Sequence, residues 1–363
     1  MAEPARGTLI PVQERAPLPS EVAERFWSAA TERFERAASG RLLERDLVIA
    51  GLPVRLSFAG PAMYDAVFPA LEHLAAPAPA SAEPPRRVLI WDTASTGVEA
   101  PEPVWRDHDV GPMGEVLSLS QGPIQAAFVS WGRLLVYNPR STTLVFHAPD
   151  ATRLPWNEYA APMRPGLHWL LTTPERRLIH GAAVGEHSRG LLITAPGGGG
   201  KSTLAVACFQ AGLDTAGDDC VVVTLGDSPR AHSIYATARI DRRSVNLAAP
   251  DPDLITNPDF EHPEKAVVDL RSGPIVPDLP ISAIVVPDVN GTPEPRLERI
   301  SGPEALRQIG PSSVVQMPRP RGAAFATAAA LARSLPAWRL RLGRDLPAAV
   351  ACLRELLASE ELV

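Results

Sequence analysis

Cysteine is scarce in this sequence of 363 residues. Only Cys208, Cys220 and Cys352 are present, and no two of them form a CxxC pair. This pattern argues against a disulfide framework. The N-terminal segment also lacks the apolar core of a secretion signal. An odd number of cysteines without such a signal is typical of a reducing compartment, so we expect a cytoplasmic protein.

Long apolar runs and an excess of positive charge are also missing. No run reaches the length that spans a bilayer, so we expect no membrane partner. The formal net charge is -6, and binding along a nucleic acid requires a surplus of Lys and Arg on one face. We therefore expect no nucleic-acid partner. The local basic group of Arg239, Arg242 and Arg243 is large enough to meet a single phosphate or an acidic peptide.

What the sequence does contain is typical of a globular α/β protein. Apolar residues make up 45% of the chain, and its 39 prolines cluster in segments that we interpret as loops and linkers. The length suggests two domains. We predict a disordered tail over 1–18, a smaller α/β N-terminal domain over 19–150 and a second domain over 151–363.

Apolar spacing and turn residues place the predicted elements. In the N-terminal domain they predict helices over 19–38 and 62–74, strand character over 46–58 and 87–91, and three strands within 124–147. In the second domain they predict a helical stretch over 167–173, strands over 178–184, 190–194, 213–225 and 283–286, and helices over 201–210, over 302–309 and after 323.

The clearest chemical motif is a glycine-rich loop between a predicted strand and a predicted helix. The pattern GxxxxGK[ST] is met at every fixed position except the first, where Ala195 replaces glycine. Glycines let the backbone approach a phosphate closely, and their N–H groups with the helix N-terminus form an anion cradle. A flexible turn is the plain alternative, but a turn alone does not require Gly-Lys-Ser-Thr at this junction. The predicted nucleotide-binding residues are Gly197, Gly198, Gly199, Gly200, Lys201, Ser202 and Thr203.

Two neighbouring carboxylates, Asp218 and Asp219, follow the next predicted strand. A helix of about 11 residues carries the chain roughly 16 Å from the loop. The strand that follows returns by about 16 Å, and a right-handed crossover makes it parallel to the strand before the loop. The carboxylates therefore arrive level with the expected phosphates, where a metal ligand is needed. A strand-end Asp pair that serves only as a turn is the alternative.

Together these segments resemble the HPr kinase family. The resemblance is carried by His180-Gly181, by Gly190-Leu-Leu-Ile-Thr, by the glycine-rich loop and by the run from Gly212 to Asp219. It is strong over about residues 175 to 225. A weaker one reaches the C-terminus, where the segment 335–345 is similar to the tails of HPr-kinase-like proteins, including lasso peptide kinases.

The resemblance implies a fold, a reaction and a set of roles. The fold is a P-loop nucleotide-binding core shared with phosphoenolpyruvate carboxykinases, and the reaction is transfer of the γ-phosphoryl group of ATP, with Mg²⁺, to a serine hydroxyl of a peptide or protein. Lys201 would reach the β and γ phosphates, and Ser202 would bind Mg²⁺. Asp218 would be the base and Asp219 a metal ligand, although the sequence leaves open which carboxylate does which. His180 would be a hydrogen-bond partner behind them.

The chain also departs from the family pattern. Ala195 replaces a glycine, the loop has glycines where the family has a serine, and the second family signature with its arginine is missing. Candidates for the missing cation are Arg239, Arg242, Arg243 and Lys265. Two alternatives therefore stay open: a kinase for a small-molecule hydroxyl, and an ATP-binding regulatory module without catalysis. A homo-oligomer is expected by analogy alone.

Overall fold

The computed structural model describes residues 16–77, 83–111, 114–119, 122–130, 132–261, 264–289, 294–315 and 321–362. Most of the predicted disordered tail, residues 1–15, lies outside the described residues. Leu18 near its end packs against the N-terminal core, and its backbone N–H donates to the carbonyl of Ser118. The described part of the chain is a mixed α/β fold with several sheets, as predicted.

A six-stranded sheet forms the centre of the N-terminal part. In chain order its strands are β1 (Leu42–Ile49), β2 (Leu52–Ala59), β3 (Arg86–Asp92), β4 (Gln125–Ser130), β5 (Arg133–Asn138) and β6 (Thr143–Ala148). The order across the sheet is β1-β2-β3-β6-β5-β4, with β2, β3 and β6 parallel. The helices of this part are α1 (Ser20–Ala38), α2 (Pro61–Val67), α3 (Thr93–Thr96), α4 (Trp156–Ala160) and α5 (Arg164–Leu171).

Both faces of this sheet are covered, because its strands alternate their apolar side chains between two clusters. Leu89 and Trp91 of β3 point to the face that α1 covers. Val88 and Ile90 point to the opposite face, which packs against α2 and α5. The second cluster continues into residues of the C-terminal half, among them Tyr235. One hydrophobic core therefore joins the two predicted domains.

The C-terminal half contains three further sheets. Its strands are β7 (Arg176–Ile179), β8 (Ala182–Glu186), β9 (Arg189–Ile193), β10 (Asp214–Gly217), β11 (Val221–Thr224), β12 (Arg230–His232), β13 (Thr237–Ile240), β14 (Ala266–Asp269), β15 (Asp278–Pro280), β16 (Ala283–Asp288), β17 (Arg296–Ile300) and β18 (Ala337–Arg341). Its helices are α6 (Lys201–Gln210), α7 (Arg242–Ala248), α8 (Gly302–Val315), α9 (Arg321–Ser334) and α10 (Leu346–Ala358).

The largest of these sheets has the order β10-β8-β9-β16-β18-β17, and the others have the orders β15-β12-β11-β7 and β13-β14. Helices α6 and α10 cover one face of the large sheet, and β11, β12, α8 and α9 contribute to the core on its other face. Strands β9, β16 and β18 are parallel, and β8 is antiparallel to both β9 and β10. The carboxyl ends of β9 and β10 and the amino end of β8 therefore meet at one edge.

Several predicted elements are shorter than expected. The predicted helix over 62–74 ends at Val67 and continues as short 3-10 turns, because Pro69 has no backbone N–H for a helix bond. The segment 46–58 contains parts of two strands, which are joined at Ala50 and Gly51, both with positive φ. Such a pair matches the twist of a tight hairpin.

The prediction of single strands over 178–184 and 213–225 is wrong. The first breaks at His180-Gly181 into β7 and β8, and the second breaks at 218–220 into β10 and β11. At both breaks the chain leaves one sheet and enters another, since β8 pairs with β10 and β7 pairs with β11. The two breaks lie side by side, so the histidine and the two carboxylates meet at the corner between the sheets.

Candidate functional site

The glycine loop, residues 195–200, joins the end of β9 to the start of α6. Gly198 and Gly200 have φ of +79° and +86°, a region that favours glycine. A Cβ on Gly199 would lie 2.7 Å from the Cβ of Ala195. The alanine that replaces the first motif glycine is thus accommodated because residue 199 has no side chain. A Cβ on Gly197 would meet nothing within 4 Å, so open space lies beside the loop there.

Lys201, the first residue of α6, is buried and folds back onto the loop. Its Nζ donates to the carbonyl of Ala195 at 2.9 Å and lies 3.4 Å from that of Pro196. Burial lowers the pKa of Lys201, although the charges of Asp218 and Asp219 act in the opposite direction. The lysine is therefore held at the loop, within electrostatic range of both carboxylates.

The next two residues of α6 point to different partners. The hydroxyl of Ser202 faces Asp218 and opposes the rise in the pKa of that carboxyl that burial causes. The hydroxyl of Thr203 donates to Oγ of Ser244 in α7 at 2.8 Å. Ser202 thus connects the glycine loop to the carboxylate pair, whereas Thr203 fixes the neighbouring helix.

Asp218 is a buried carboxylate with few partners. Its Oδ2 accepts the backbone N–H of Arg239 at 3.2 Å, and its Oδ1 is buried without a hydrogen-bond partner in the described part of the chain. Burial raises the pKa of Asp218, and the neighbouring charge of Asp219 raises it further. An unpaired oxygen of this kind is uncommon in a folded interior, where buried polar groups are nearly always paired.

Asp219 has the opposite environment. The side chains of Arg164 and Arg239 both donate to its Oδ2, the first at 3.2 Å. Burial alone would raise the pKa of this carboxyl, but the charge of Arg239 and the bond from His180 hold it well below the ordinary value. Its φ is +62°, the left-handed conformation that turns the chain from β10 toward β11. Asp219 is therefore ionised, and Asp218 is the more basic of the two.

His180, at the break between β7 and β8, contacts one carboxylate of the pair, Asp219. Its Nε2 is 3.2 Å from Oδ1 of Asp219, and because an ionised carboxylate only accepts, Nε2 carries the proton. Its backbone N–H donates to Oγ of Ser313 in α8. Burial lowers the pKa of the imidazole, which favours the neutral form. Gly181 after it has no room for a side chain, since a Cβ would lie 2.9 Å from the carbonyl oxygen of Ile193.

Arg164 was missed by sequence reasoning. It is the first residue of α5 and follows Met163, whose φ is +55°. Its contact with Asp219 joins residues 55 positions apart, and it belongs to no motif. The available signal was Arg164-Pro165, since proline in the first turn marks the start of a helix. That signal locates the helix but not the partner of the arginine.

The four candidate cations occupy different places. Only Arg239 contacts the carboxylate pair, and its guanidinium also lies 5.7 Å from the centre of the Trp156 ring. Arg242 stacks on Phe260 and donates to its carbonyl. Arg243 and Lys265 are exposed, although the charge of Lys265 lowers the pKa of Lys201.

The site thus combines three cationic side chains with two carboxylates: Lys201, Arg164 and Arg239 against Asp218 and Asp219. Excess buried positive charge is unfavourable unless an anion compensates it.

Among the described residues no group of three or more His, Cys, Asp or Glu side chains forms a metal cluster. Over the same ranges no helix combines the length and apolar character needed to cross a membrane.

Comparisons with known proteins give a distant likeness among solved structures. No model of a known protein family matches the sequence, and no curated protein matches it. Among solved structures, the chain is similar to the Hpr(Ser) kinase/phosphatase from Coxiella burnetii, with 12% identity and a TM-score of 0.26. The match covers 50% of this chain and 97% of that chain. It is only a weak link at the level of the fold.

Proposed function

We propose that the protein is a kinase that uses ATP and Mg²⁺ to phosphorylate a serine-type hydroxyl of a peptide or protein. The observation that carries the proposal is the meeting of the glycine loop with the two carboxylates at one sheet edge. Lys201 and Ser202 reach this edge from α6, and Asp218 and Asp219 reach it from the end of β10. A triphosphate bound at the loop would supply the negative charge that the three cations lack.

The residues present suit a magnesium ion. Mg²⁺ prefers a few protein oxygens together with phosphate oxygens and water. The hydroxyl of Ser202 and the ionised carboxylate of Asp219 offer such oxygens, and the cations around Asp219 mark a place where positive charge is already stabilised. When bound, the ion would neutralise charge on the phosphates. The small number of acidic ligands is consistent with an ion that arrives with its nucleotide.

Asp218 fits the role of proton acceptor. Its Oδ1 is unpaired and buried, so a hydroxyl that reaches it has no competitor for the hydrogen bond. The acceptor oxygen forms a bond to the γ-phosphorus, the bond from that phosphorus to the β-bridging oxygen breaks, and ADP leaves. The hydroxyl proton passes to Asp218. Asp219, with its lowered pKa, is the poorer base.

His180 and Arg164 would act through Asp219. Both contact its carboxylate from the protein side, at 3.2 Å each, and both are largely buried. They hold the carboxylate of Asp219 in place at the turn between β10 and β11. We therefore assign them a positioning role and not a direct role in the transfer.

The test is transfer of ³²P from γ-labelled ATP by the full chain in the presence of Mg²⁺, first to serine peptides and then to a pool of small hydroxyl compounds. Lys201→Ala is expected to abolish ATP binding, and Asp218→Asn to bind ATP but to transfer phosphate at least about 100 times more slowly. Full activity of Asp218→Asn would refute the assignment of the base. Arg243→Ala, at an exposed position, is the matched control.

The same experiment separates the two alternatives. Label that appears only on a small molecule identifies a small-molecule kinase of the same fold. Tight ATP binding without transfer to any acceptor identifies an ATP-binding regulatory module. The buried and unpaired oxygen of Asp218 favours catalysis over binding alone, because retention of such a group is costly in a site that only binds nucleotide.

A further inference from the structure

Arg239 contacts both carboxylates of the site. Its backbone N–H donates to Asp218, and its guanidinium donates to Oδ2 of Asp219. The backbone bond fixes the start of the Arg239 side chain beside Asp218. Because the bond uses the main chain, it survives any movement of the guanidinium.

The oxygen that Arg239 occupies is shared. Oδ2 of Asp219 accepts from two guanidinium groups, those of Arg164 and Arg239, while Oδ1 faces His180. The two guanidinium charges beside this carboxylate oppose the approach of a metal ion. Departure of one of them would favour the binding of magnesium to Asp219. This step rests on the proposed function.

Arg239 is better placed to leave than Arg164. Its Nε is buried without a hydrogen-bond partner in the described part of the chain, so the present position does not satisfy all of its donors. The carbon of the guanidinium lies over the half-buried ring of Trp156, 5.7 Å from its centre. An aromatic face favours a cation without fixing its direction. Arg164, in contrast, begins a helix that is packed into the core shared by the two halves.

We propose that Arg239 is a catalytic residue that exchanges partners: it neutralises Asp219 when no nucleotide is bound, and it moves to the transferring phosphoryl group when the nucleotide and its metal occupy the site. Trp156 is the positioning residue that supports the guanidinium. Arg239 would leave Asp219 available to hold the metal, and the guanidinium would gain a phosphate oxygen as its partner. Each charge keeps a partner of opposite sign throughout.

The exchange predicts two effects of opposite sign for Arg239→Ala. The variant is expected to bind Mn²⁺ alone at least about ten times more tightly than the wild type, because a competing cation a few ångströms from the metal has been removed. It is expected to release phosphate from bound ATP at least about 100 times more slowly, because a charge that stabilises the transition state is missing. A purely structural arginine would not raise the affinity for a cation.

The experiment uses the full chain in four versions: wild type, Arg239→Ala, Arg239→Lys and, as the control, Arg25→Ala at an exposed position of α1. Free Mn²⁺ is measured by electron paramagnetic resonance, and single-turnover phosphate release is measured with Mg²⁺ and ATP. Circular dichroism checks that each variant is folded. Arg239→Lys keeps one positive charge and is expected to lie between the other two in both measurements.

Trp156 gives an independent readout. Addition of Mg²⁺ and ATP is expected to change tryptophan fluorescence in the wild type and not in Trp156→Phe, which retains an aromatic face and is expected to stay within about threefold of wild-type turnover. Trp156→Ala is expected to lower kcat by about tenfold with little change in KM. The fluorescence change is expected to be missing in Arg239→Ala as well.

The outcomes distinguish this inference from the proposed function. If the wild type binds neither ATP nor Mn²⁺, the proposed function fails and the exchange fails with it. If the wild type turns ATP over but Arg239→Ala binds Mn²⁺ with unchanged or lower affinity, or retains its turnover, the exchange is wrong while the proposed function stands. Tighter Mn²⁺ binding together with slower turnover supports the exchange.

Discussion

The two neighbouring carboxylates are expected to respond oppositely to the same substitution. Asp218→Asn removes a buried charge that has an unpaired oxygen and a like charge beside it. The carbonyl of the new amide still accepts the N–H of Arg239. We expect the free energy of unfolding to rise by about 1 kcal/mol. For a chain of this size that corresponds to a melting temperature about 1 °C higher.

In Asp219→Asn the same change leaves two guanidinium groups without their counter-charge. Arg164 and Arg239 both donate to Asp219, and removal of one partner of a buried ion pair costs about 3 kcal/mol or more. We expect a melting temperature lower by about 4 °C. Phosphoryl transfer is expected to be lost in both variants, so activity falls while stability changes in opposite directions.

Urea denaturation and thermal melts without nucleotide, together with the ³²P transfer assay, measure the two quantities. The reasoning is refuted if both variants lose stability to a similar extent, because the two carboxylates would then have equivalent surroundings. It is refuted equally if Asp218→Asn retains transfer activity. A variant that is more stable and inactive is the outcome typical of a residue kept for function.

Two further predictions concern the glycine loop and acid stability. Gly197→Ala is expected to have the melting temperature of the wild type, because a Cβ there meets nothing within 4 Å. Its affinity for ATP, measured by calorimetry, is expected to be about tenfold lower. Gly199→Ala, whose Cβ would lie 2.7 Å from that of Ala195, is expected to lose about 1–3 kcal/mol of stability. Equal melting temperatures for the two variants would contradict this account. Burial lowers the pKa of His147 to about 4, so its contribution to stability is present above about pH 6.5 and is lost as the pH falls toward about 4. Urea denaturation gives the free energy of unfolding at pH 7 and pH 4, and its decrease toward pH 4 is expected to be smaller in His147→Gln than in the wild type, by up to about 3 kcal/mol. An identical decrease would show that this histidine does not titrate on unfolding.

The sequence was sufficient for the parts of the site that lie next to each other along the chain. The predicted helix over 201–210 coincides with α6, and the strand before the loop is shifted by one residue. Local signals explain this success: a glycine run, a helix-forming segment and a short apolar strand each carry their own pattern. The expected parallel direction of the strand before Asp218 is also found, but with β8 inserted between it and β9.

The corner between the sheets was not predictable in the same way. The apolar pattern runs through His180 and through Asp218-Asp219 with little interruption, because the strands on both sides of each break are buried. Only the left-handed conformation of Asp219 reveals the change of direction. The contact of Arg164 with Asp219 depends on this corner and on the packing of α5, and neither leaves a mark in the local sequence.

The most direct measurement is a crystal structure of the full chain with Mg²⁺ and a non-hydrolysable ATP analogue. The account predicts triphosphate density along the backbone of the glycine loop, with Nζ of Lys201 turned from the carbonyl of Ala195 toward the phosphates and the metal between Ser202 and the carboxylate pair. Nucleotide bound elsewhere, or at the loop with Asp218 and Asp219 both remote from the phosphates, would contradict it.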